Sequence, residues 1–189
     1  GLIGTNQNMI GSDVIPTERT TPESFEVQKL FREMADAGCT HVVMETSSHA
    51  LYLDRVYGVR YDVGIFTNLT QDHLDFHKTM ENYCDAKAIL FRNCVTGVVN
   101  ADDPWTPRLL KDADCKVMTY AEQADADLRA ENIVLSAGGI AFDAVSGAER
   151  VPIRVNIPGG FMVYNTLDVL GAALALGISL EESAVVLAK

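Results

Sequence analysis

The sequence predicts an α/β fold: a mostly parallel sheet flanked by helices, with a small antiparallel β-meander. From Gly1 to Tyr120, short apolar runs alternate with helical patterns, as strand–crossover–strand units do. These runs end in polar residues, among them Glu45, Asn68 and Asn100. After Asp125 the pattern changes to closely spaced strand-like segments joined by glycine-containing turns.

The elements follow in order. Gly1-Leu2-Ile3-Gly4-Thr5 reads as a strand already under way, and Asn6 to Thr21 as a polar, turn-rich link. Thr21 with Pro22 suits an N-cap followed by the first helical position, opening a helix that buries Phe25, Leu30, Phe31 and Met34 and stops at Gly38. His41 to Met44 is a short buried strand ending at Glu45, with a brief helical segment after it to Arg55. Asp62 to Thr67, Val95 to Asn100 and Lys116 to Tyr120 continue the strand series. Crossovers in such sheets are right-handed, so polar strand ends collect along one edge. Glu45, Asn68 and Asn100 are therefore expected to be neighbours. Leu128 to Ser136, Gly139 to Val145 and Arg150 to Ile157 form the meander, expected beside the main sheet. Pro158-Gly159-Gly160 ends it. A helix from about Met162 to Leu176 follows, and Ser179 caps a final one.

A chain of 189 residues can bury one substantial core, and its composition is that of an ordinary globular protein. The net charge of -11 argues against broad nucleic-acid binding, which needs Lys and Arg to neutralise phosphates. It leaves room for a small anionic substrate in a local pocket of donors. Cys39, Cys84, Cys94 and Cys115 form no C-x-x-C pair, which favours free thiols in a reducing compartment. The stretch from Leu167 to Leu180 is too short for a membrane span and is interrupted by Asp168, Gly171 and Gly177. A cytoplasmic location is expected. With no initiator methionine at Gly1 and a helical pattern still running at Lys189, the chain reads as a piece of a longer polypeptide.

The chemistry concentrates between Thr67 and Phe91. Asp72, His73, Asp75 and His77 are metal-capable, and the helix after them has Met80, Tyr83, Cys84, Leu90 and Phe91 at the spacing of one face. Lys87 falls on that face, where an unpaired cation is costly. Two readings stay open from the residues. Asp72, His73, Asp75 and His77 hold a transition metal, or one His with a distant carboxylate such as Glu45 holds Mg²⁺ beside phosphates, an ion that takes few protein ligands. Burial lowers a lysine's pKa, and a neutral amine can take up CO₂ as a carbamate, a carboxylate-like ligand. A lysine whose charge snorkels to solvent is the plainer account. Thr20 and Thr21 beside Arg19 at a helix start suit a cap or an anion. The phosphate-cradling G-x-x-x-x-G-K-[ST] loop is absent; Gly4 to Gly11 resembles it loosely and lacks the lysine.

Four motifs, in order, resemble the Mur ligase family over essentially the whole chain: Thr20-Thr21-Pro22-Glu23, Met44-Glu45-Thr46-Ser47-Ser48-His49-Ala50-Leu51, Thr67-Asn68-Leu69-Thr70-Gln71-Asp72-His73-Leu74-Asp75 and Asp85-Ala86-Lys87. The nearest resemblance is to its MurE type. It implies that residues 1–189 are the central ATP-binding domain without its P-loop segment, with a small antiparallel subregion over 126–158, and without the N- and C-terminal domains. It implies an ATP-dependent peptide ligase of peptidoglycan synthesis that adds meso-diaminopimelate or L-lysine to UDP-N-acetylmuramoyl-L-alanyl-D-glutamate (UDP-MurNAc-dipeptide). The D-glutamate carboxylate would attack the ATP γ-phosphate, and the incoming amine would displace phosphate from the acyl phosphate. Glu45 and His73 would be Mg²⁺ ligands, and Lys87 a carbamylated lysine positioning a metal. Thr20, Thr21, Ser47 and Arg55 would contact the UDP-sugar substrate, and Asn165 the adenine.

The chain departs from the family's pattern at three places: Met162 where asparagine is usual, Leu53 where several members have glutamine, and Thr46 for a common valine. A folylpolyglutamate synthase-like ligase shares the ATPase plan. A domain that binds a nucleotide or partner without catalysis is the reading from a different class. The isolated fragment is expected to be inactive, and neither nucleic acid nor membrane is an expected partner.

Overall fold

In the computed structural model, which describes residues 1–189, the chain divides into two compact units. The first comprises Gly1–Val59 and His73–Leu90, the second Arg60–Asp72 and Phe91–Lys189.

The first unit is built on very short strands. β1 (Leu2–Ile3) runs parallel to β4 (Val43–Met44) and antiparallel to β2 (Asn8–Ile10), which turns through Gly11 into β3 (Asp13–Ile15). Gly11 has φ 59°, the left-handed conformation that glycine adopts without steric cost, so the link expected to be irregular is a hairpin. Helix α1 (Ser24–Asp36) turns Val27, Leu30 and Met34 inward, and Leu30 and Met34 close on Ile3. Phe25, expected in that core, is 78% exposed because it lies in the first turn on the opposite face. The N-cap is Glu23 rather than Thr21, whose hydroxyl is engaged elsewhere. Three short helices complete the unit: α2 (Ser48–Tyr52), α3 (Leu74–His77) and α4 (Met80–Ala88).

The second unit is a six-stranded sheet. β5 (Tyr61–Phe66), β6 (Cys94–Asn100), β7 (Lys116–Ala121) and β8 (Leu128–Ser136) are parallel; β9 (Gly139–Ser146) and β10 (Glu149–Val155) continue antiparallel from β8. The meander is therefore not packed beside the parallel strands, as expected, but hydrogen-bonded to them as their extension. In β10 the alternation is plain: Val151, Ile153 and Val155 are buried while Pro152 and Arg154 face outward. α5 (Thr106–Leu109) is a single turn after β6. α6 (Phe161–Ala175) lies across the sheet and buries Val163, Leu167 and Leu170 at helical spacing. A Cβ on Gly171 would come within 2.6 Å of Val98 Cγ1, so glycine there lets the helix close on the strand. α7 (Leu180–Leu187), capped by Ser179, packs on β10. No helix is long and apolar enough to cross a membrane.

One expectation about the sheet edge changes. Asn100 and the Asn68 segment do meet, because Asn100 Nδ2 donates to Thr67 O at 2.9 Å. Glu45 follows β4, a strand of the other sheet, so the shared-edge argument does not join it to them.

Candidate functional site

The polar site of the first unit grows from the ends of β1 and β4. Their parallel pairing continues in Glu45 N, which donates to Ile3 O at 2.8 Å, and this brings Thr5 to the Glu45 side chain. Thr5 N and Thr5 Oγ1 donate to Glu45 Oε2 at 3.1 and 2.7 Å. Since the Thr5 proton is used there, the 2.9 Å contact between Thr5 Oγ1 and Thr20 Oγ1 has Thr20 donating. The result is a directed chain of hydroxyls ending on an exposed carboxylate.

Thr21 is 1% exposed and ties the loop before α1 to the loop after β4. Its hydroxyl donates to Glu45 O and accepts from Ser47 N, both at 2.9 Å. Ser47 Oγ lies 3.4 Å from that hydroxyl and caps α2 by accepting from Ala50 N at 3.1 Å. Arg55 folds back against the same loop. Its Nη2 is 3.2 Å from Glu23 Oε1, and its Nη1 donates to Thr21 O at 3.4 Å. Its Nε is buried without a hydrogen-bond acceptor, a costly condition in a group that always carries charge. Arg19 also pairs with Glu23. Both residues line an open cleft of about 440 Å³ between the β3 side and α1.

The second cluster is aromatic. His73 occupies the left-handed region (φ 54°) just before α3, with its ring edge-on to His49 at 5.0 Å and to Tyr83 at 5.9 Å. His77 turns inward: its ring stacks on Tyr83 at 5.0 Å and its Nε2 lies 2.9 Å from Ser48 Oγ. Burial, and then the neighbouring His49, His73 and Lys87, hold its pKa below the usual histidine value. Lys87 is half-buried with Nζ 5.3 Å from the Tyr83 ring centroid, within cation–π range. The core stripe thus gives its lysine an aromatic face.

Asp72 and Asp75 are exposed, and no three His, Cys, Asp or Glu side chains converge as a metal cluster. The D-H-x-D-x-H segment does not fold into a chelate of its own. Glu45, His73, Lys87, Thr20, Thr21, Ser47 and Arg55 all belong to the first unit, whereas Asn165 belongs to the second. Asn165 is exposed on the first turns of α6, and its Nδ2 donates to Met162 Sδ at 3.8 Å.

A further polar hub at the carboxyl ends of β5, β6 and β7 went unrecognised in the sequence. Asp102 accepts from the backbone amides of Glu122, Gln123 and Ala124 at 2.7, 3.0 and 2.7 Å and from Tyr164 Oη at 3.0 Å. Burial raises its pKa, but the amides and the phenol outweigh that and hold it below the usual carboxylate value. Asp103 accepts from Leu69 N at 2.9 Å and Trp105 N at 2.8 Å. The run Asn100-Ala101-Asp102-Asp103-Pro104 carried a turn signal, but nothing in it named these distant partners.

Comparison with known proteins identifies the family of the chain. Residues 1–173 match the model of the Mur ligase middle domain. A UDP-N-acetylmuramoyl-L-alanyl-D-glutamate–2,6-diaminopimelate ligase from Clostridium botulinum is 50% identical over 181 residues, covering 96% of this chain and 38% of that protein. Ligase 1 of the same description from Clostridium acetobutylicum is 51% identical over 182 residues, with 96% and 38% covered. A solved structure of a ligase of this description superposes with a TM-score of 0.91 at 29% identity, covering 99% of this chain and 39% of that one. The chain thus spans about 38% of the length of these curated relatives. The match over most of its length shows that the chain belongs to the Mur ligase middle-domain family.

Proposed function

We propose that this chain is the central part of an ATP-dependent ligase that joins diaminopimelate to UDP-MurNAc-dipeptide, in the cytoplasm, for peptidoglycan synthesis. The relatives named above are ligases of that description, and one residue carries the reading into the site. Arg55 holds a buried Nε with no acceptor, against the loop of Thr20, Thr21 and Ser47. A carboxylate or phosphate oxygen of the substrate would satisfy it. Thr20 and Arg55 face that substrate, while Thr21 and Ser47, engaged with backbone partners, hold the loop in place.

The donor set also suits a divalent cation. Glu45 is an exposed carboxylate with Oε2 oriented by Thr5, the hard oxygen that Mg²⁺ prefers. Glu45 and His73 would hold Mg²⁺, and Lys87 would hold a second ion if carbamylated. Bound there, the ions would neutralise the anions that phosphoryl transfer gathers. Arg55 and Thr20 would orient the anionic substrate against the loop that Thr21 and Ser47 hold. Asn165 offers its amide to the adenine. The remaining sequence of the protein would supply the other domains.

The test uses the protein that contains this chain, with ATP, Mg²⁺ and UDP-MurNAc-dipeptide, and diaminopimelate or L-lysine in parallel. Phosphate release and product mass are read. The expected product carries diaminopimelate, and Arg55→Ala raises the KM for the UDP-substrate roughly tenfold, the cost of about 1.4 kcal/mol of lost binding. ATP binding without any ligation would replace the ligase by a non-catalytic nucleotide-binding domain. Ligation of glutamate to a folate would favour the folylpolyglutamate alternative.

A further inference from the structure

Tyr83 lies in the middle of α4, 7% exposed, and its ring is held from several sides. Thr79 caps the helix by accepting from Asn82 N at 3.1 Å, and Asn82 Nδ2 donates to His77 O at 2.8 Å, which ties α4 to the end of α3. His77, anchored on the buried Ser48, stacks on the Tyr83 ring with the two planes 15° apart. The His73 ring meets Tyr83 edge-on, with planes 78° apart and centroids 5.9 Å apart. A tyrosine has only two side-chain torsions, and packing of this kind fixes both.

Lys87 is a different kind of side chain. Its ammonium ends a flexible four-carbon stem, which loses much rotamer freedom when it is held in one place. It follows Tyr83 by four residues on α4, the spacing that sets two side chains on one helix face. Its Nζ is 5.3 Å from the Tyr83 centroid, where the ring's quadrupole attracts a cation. One rigid ring therefore borders both His73 and Lys87.

We propose that Tyr83 is a positioning residue for the reaction, whose ring fixes the Lys87 amine relative to the His73 imidazole. The inference rests on the reading given above, in which His73 and Lys87 form the cation-holding side of the site. Without the ring, the lysine stem samples its rotamers and its end is in place for only a fraction of the time. That loss falls on kcat rather than on binding of the UDP-substrate, because Arg55 and Thr20 are held by other partners. The ring face is what acts, so phenylalanine serves as well as tyrosine.

The test compares Tyr83→Phe with Tyr83→Leu in the purified protein that contains this chain. The first readout is the rate at which acetic anhydride acetylates Lys87, followed by mass spectrometry without substrates. Labelling at the wild-type rate is expected in Tyr83→Phe and about threefold faster labelling in Tyr83→Leu, the scale of one cation–π contact. This readout needs no turnover: a wild type that fails to ligate would sink the ligase reading, while labelling still decides whether the ring holds the lysine. The second readout is steady-state kinetics with ATP, Mg²⁺, UDP-MurNAc-dipeptide and diaminopimelate. Tyr83→Leu should lower kcat about tenfold with the KM for the UDP-substrate nearly unchanged, and Tyr83→Phe should behave as the wild type. Circular dichroism checks folding. Should leucine unfold the protein, pentafluorophenylalanine at position 83 keeps the ring's shape, removes its negative face and is expected to give the leucine result. Unchanged labelling on loss of the ring would overturn the proposal, as would faster labelling with an unchanged kcat. Equal losses in the phenylalanine and leucine variants would overturn it too, by assigning the effect to the hydroxyl.

Discussion

The two units keep their shape by different means. The second has long ladders and a continuous apolar core, in which Val98, Tyr120, Leu128, Leu167, Leu170 and Leu180 are fully buried. The first has strands of two or three residues and a small cluster of Ile3, Leu30 and Met34. Its loops are fixed instead by side-chain hydrogen bonds, from Thr5 to Glu45 and from Thr21 to the backbone on either side of Thr46. A hydrophobic core is non-directional, whereas hydrogen bonds set positions and orientations one group at a time. The unit that carries most of the site residues is the one held by directional bonds.

Core truncation should separate the units most. Leu167→Ala removes a fully buried side chain from a tightly packed interface and should cost about 3 kcal/mol in urea denaturation. Met34→Ala, whose half-buried neighbours can close the gap, should cost about 2 kcal/mol; a larger loss there than at Leu167 would break the comparison.

A second handle is Asp168, buried on α6, whose carboxyl burial raises from 3.8 to about 7. The folded chain keeps a proton that the unfolded chain has released, so stability falls as pH rises from about 4 to about 7. Asp168→Asn should therefore be more stable than the wild type by on the order of 2 kcal/mol near pH 8, with the difference vanishing towards pH 4. Denaturation at the two pH values checks this, and a pH-independent difference would remove the buried-proton account.

The smallest effect is expected in the first unit. Thr21→Val keeps shape but leaves Ser47 N–H and Glu45 C=O without their partner, at a cost of about 1 kcal/mol. Hydrogen exchange at the Ser47 amide should speed up while β6 and β7 amides are unchanged. Faster exchange throughout would mean that the hydroxyl acts on global stability rather than on the loop.

Periodicity carried far in the second unit, where β10 alternates and α6 repeats its apolar positions at helical spacing. It failed where strands are too short to show a period. Asn8–Ile10 and Asp13–Ile15 were hidden in a turn-rich stretch because a three-residue strand has no repeat to display. Phe25 looked buried because hydrophobicity was legible while the helix start, displaced from Thr21 to Glu23, was not. The candidate site residues were named from motif order and the family resemblance, not from any local pattern. Thr5, His49, Asp102 and Asp103 were not, because each acts through partners distant in sequence that no local pattern specifies.

The carboxylate of Asp102 has a consequence for the order of folding. Its amide partners are about twenty residues ahead and its phenol partner Tyr164 is 62 residues ahead, so the contact closes only when β7 and α6 are already placed. Closing the loop to Tyr164 is entropically costlier than pairing β6 with β7, so the Tyr164 contact is expected to join after that pairing. Interactions absent from the transition state act on the rate of unfolding rather than folding. Tyr164→Phe is therefore expected to quicken unfolding while leaving the folding rate nearly unchanged, which the two arms of a chevron plot measure.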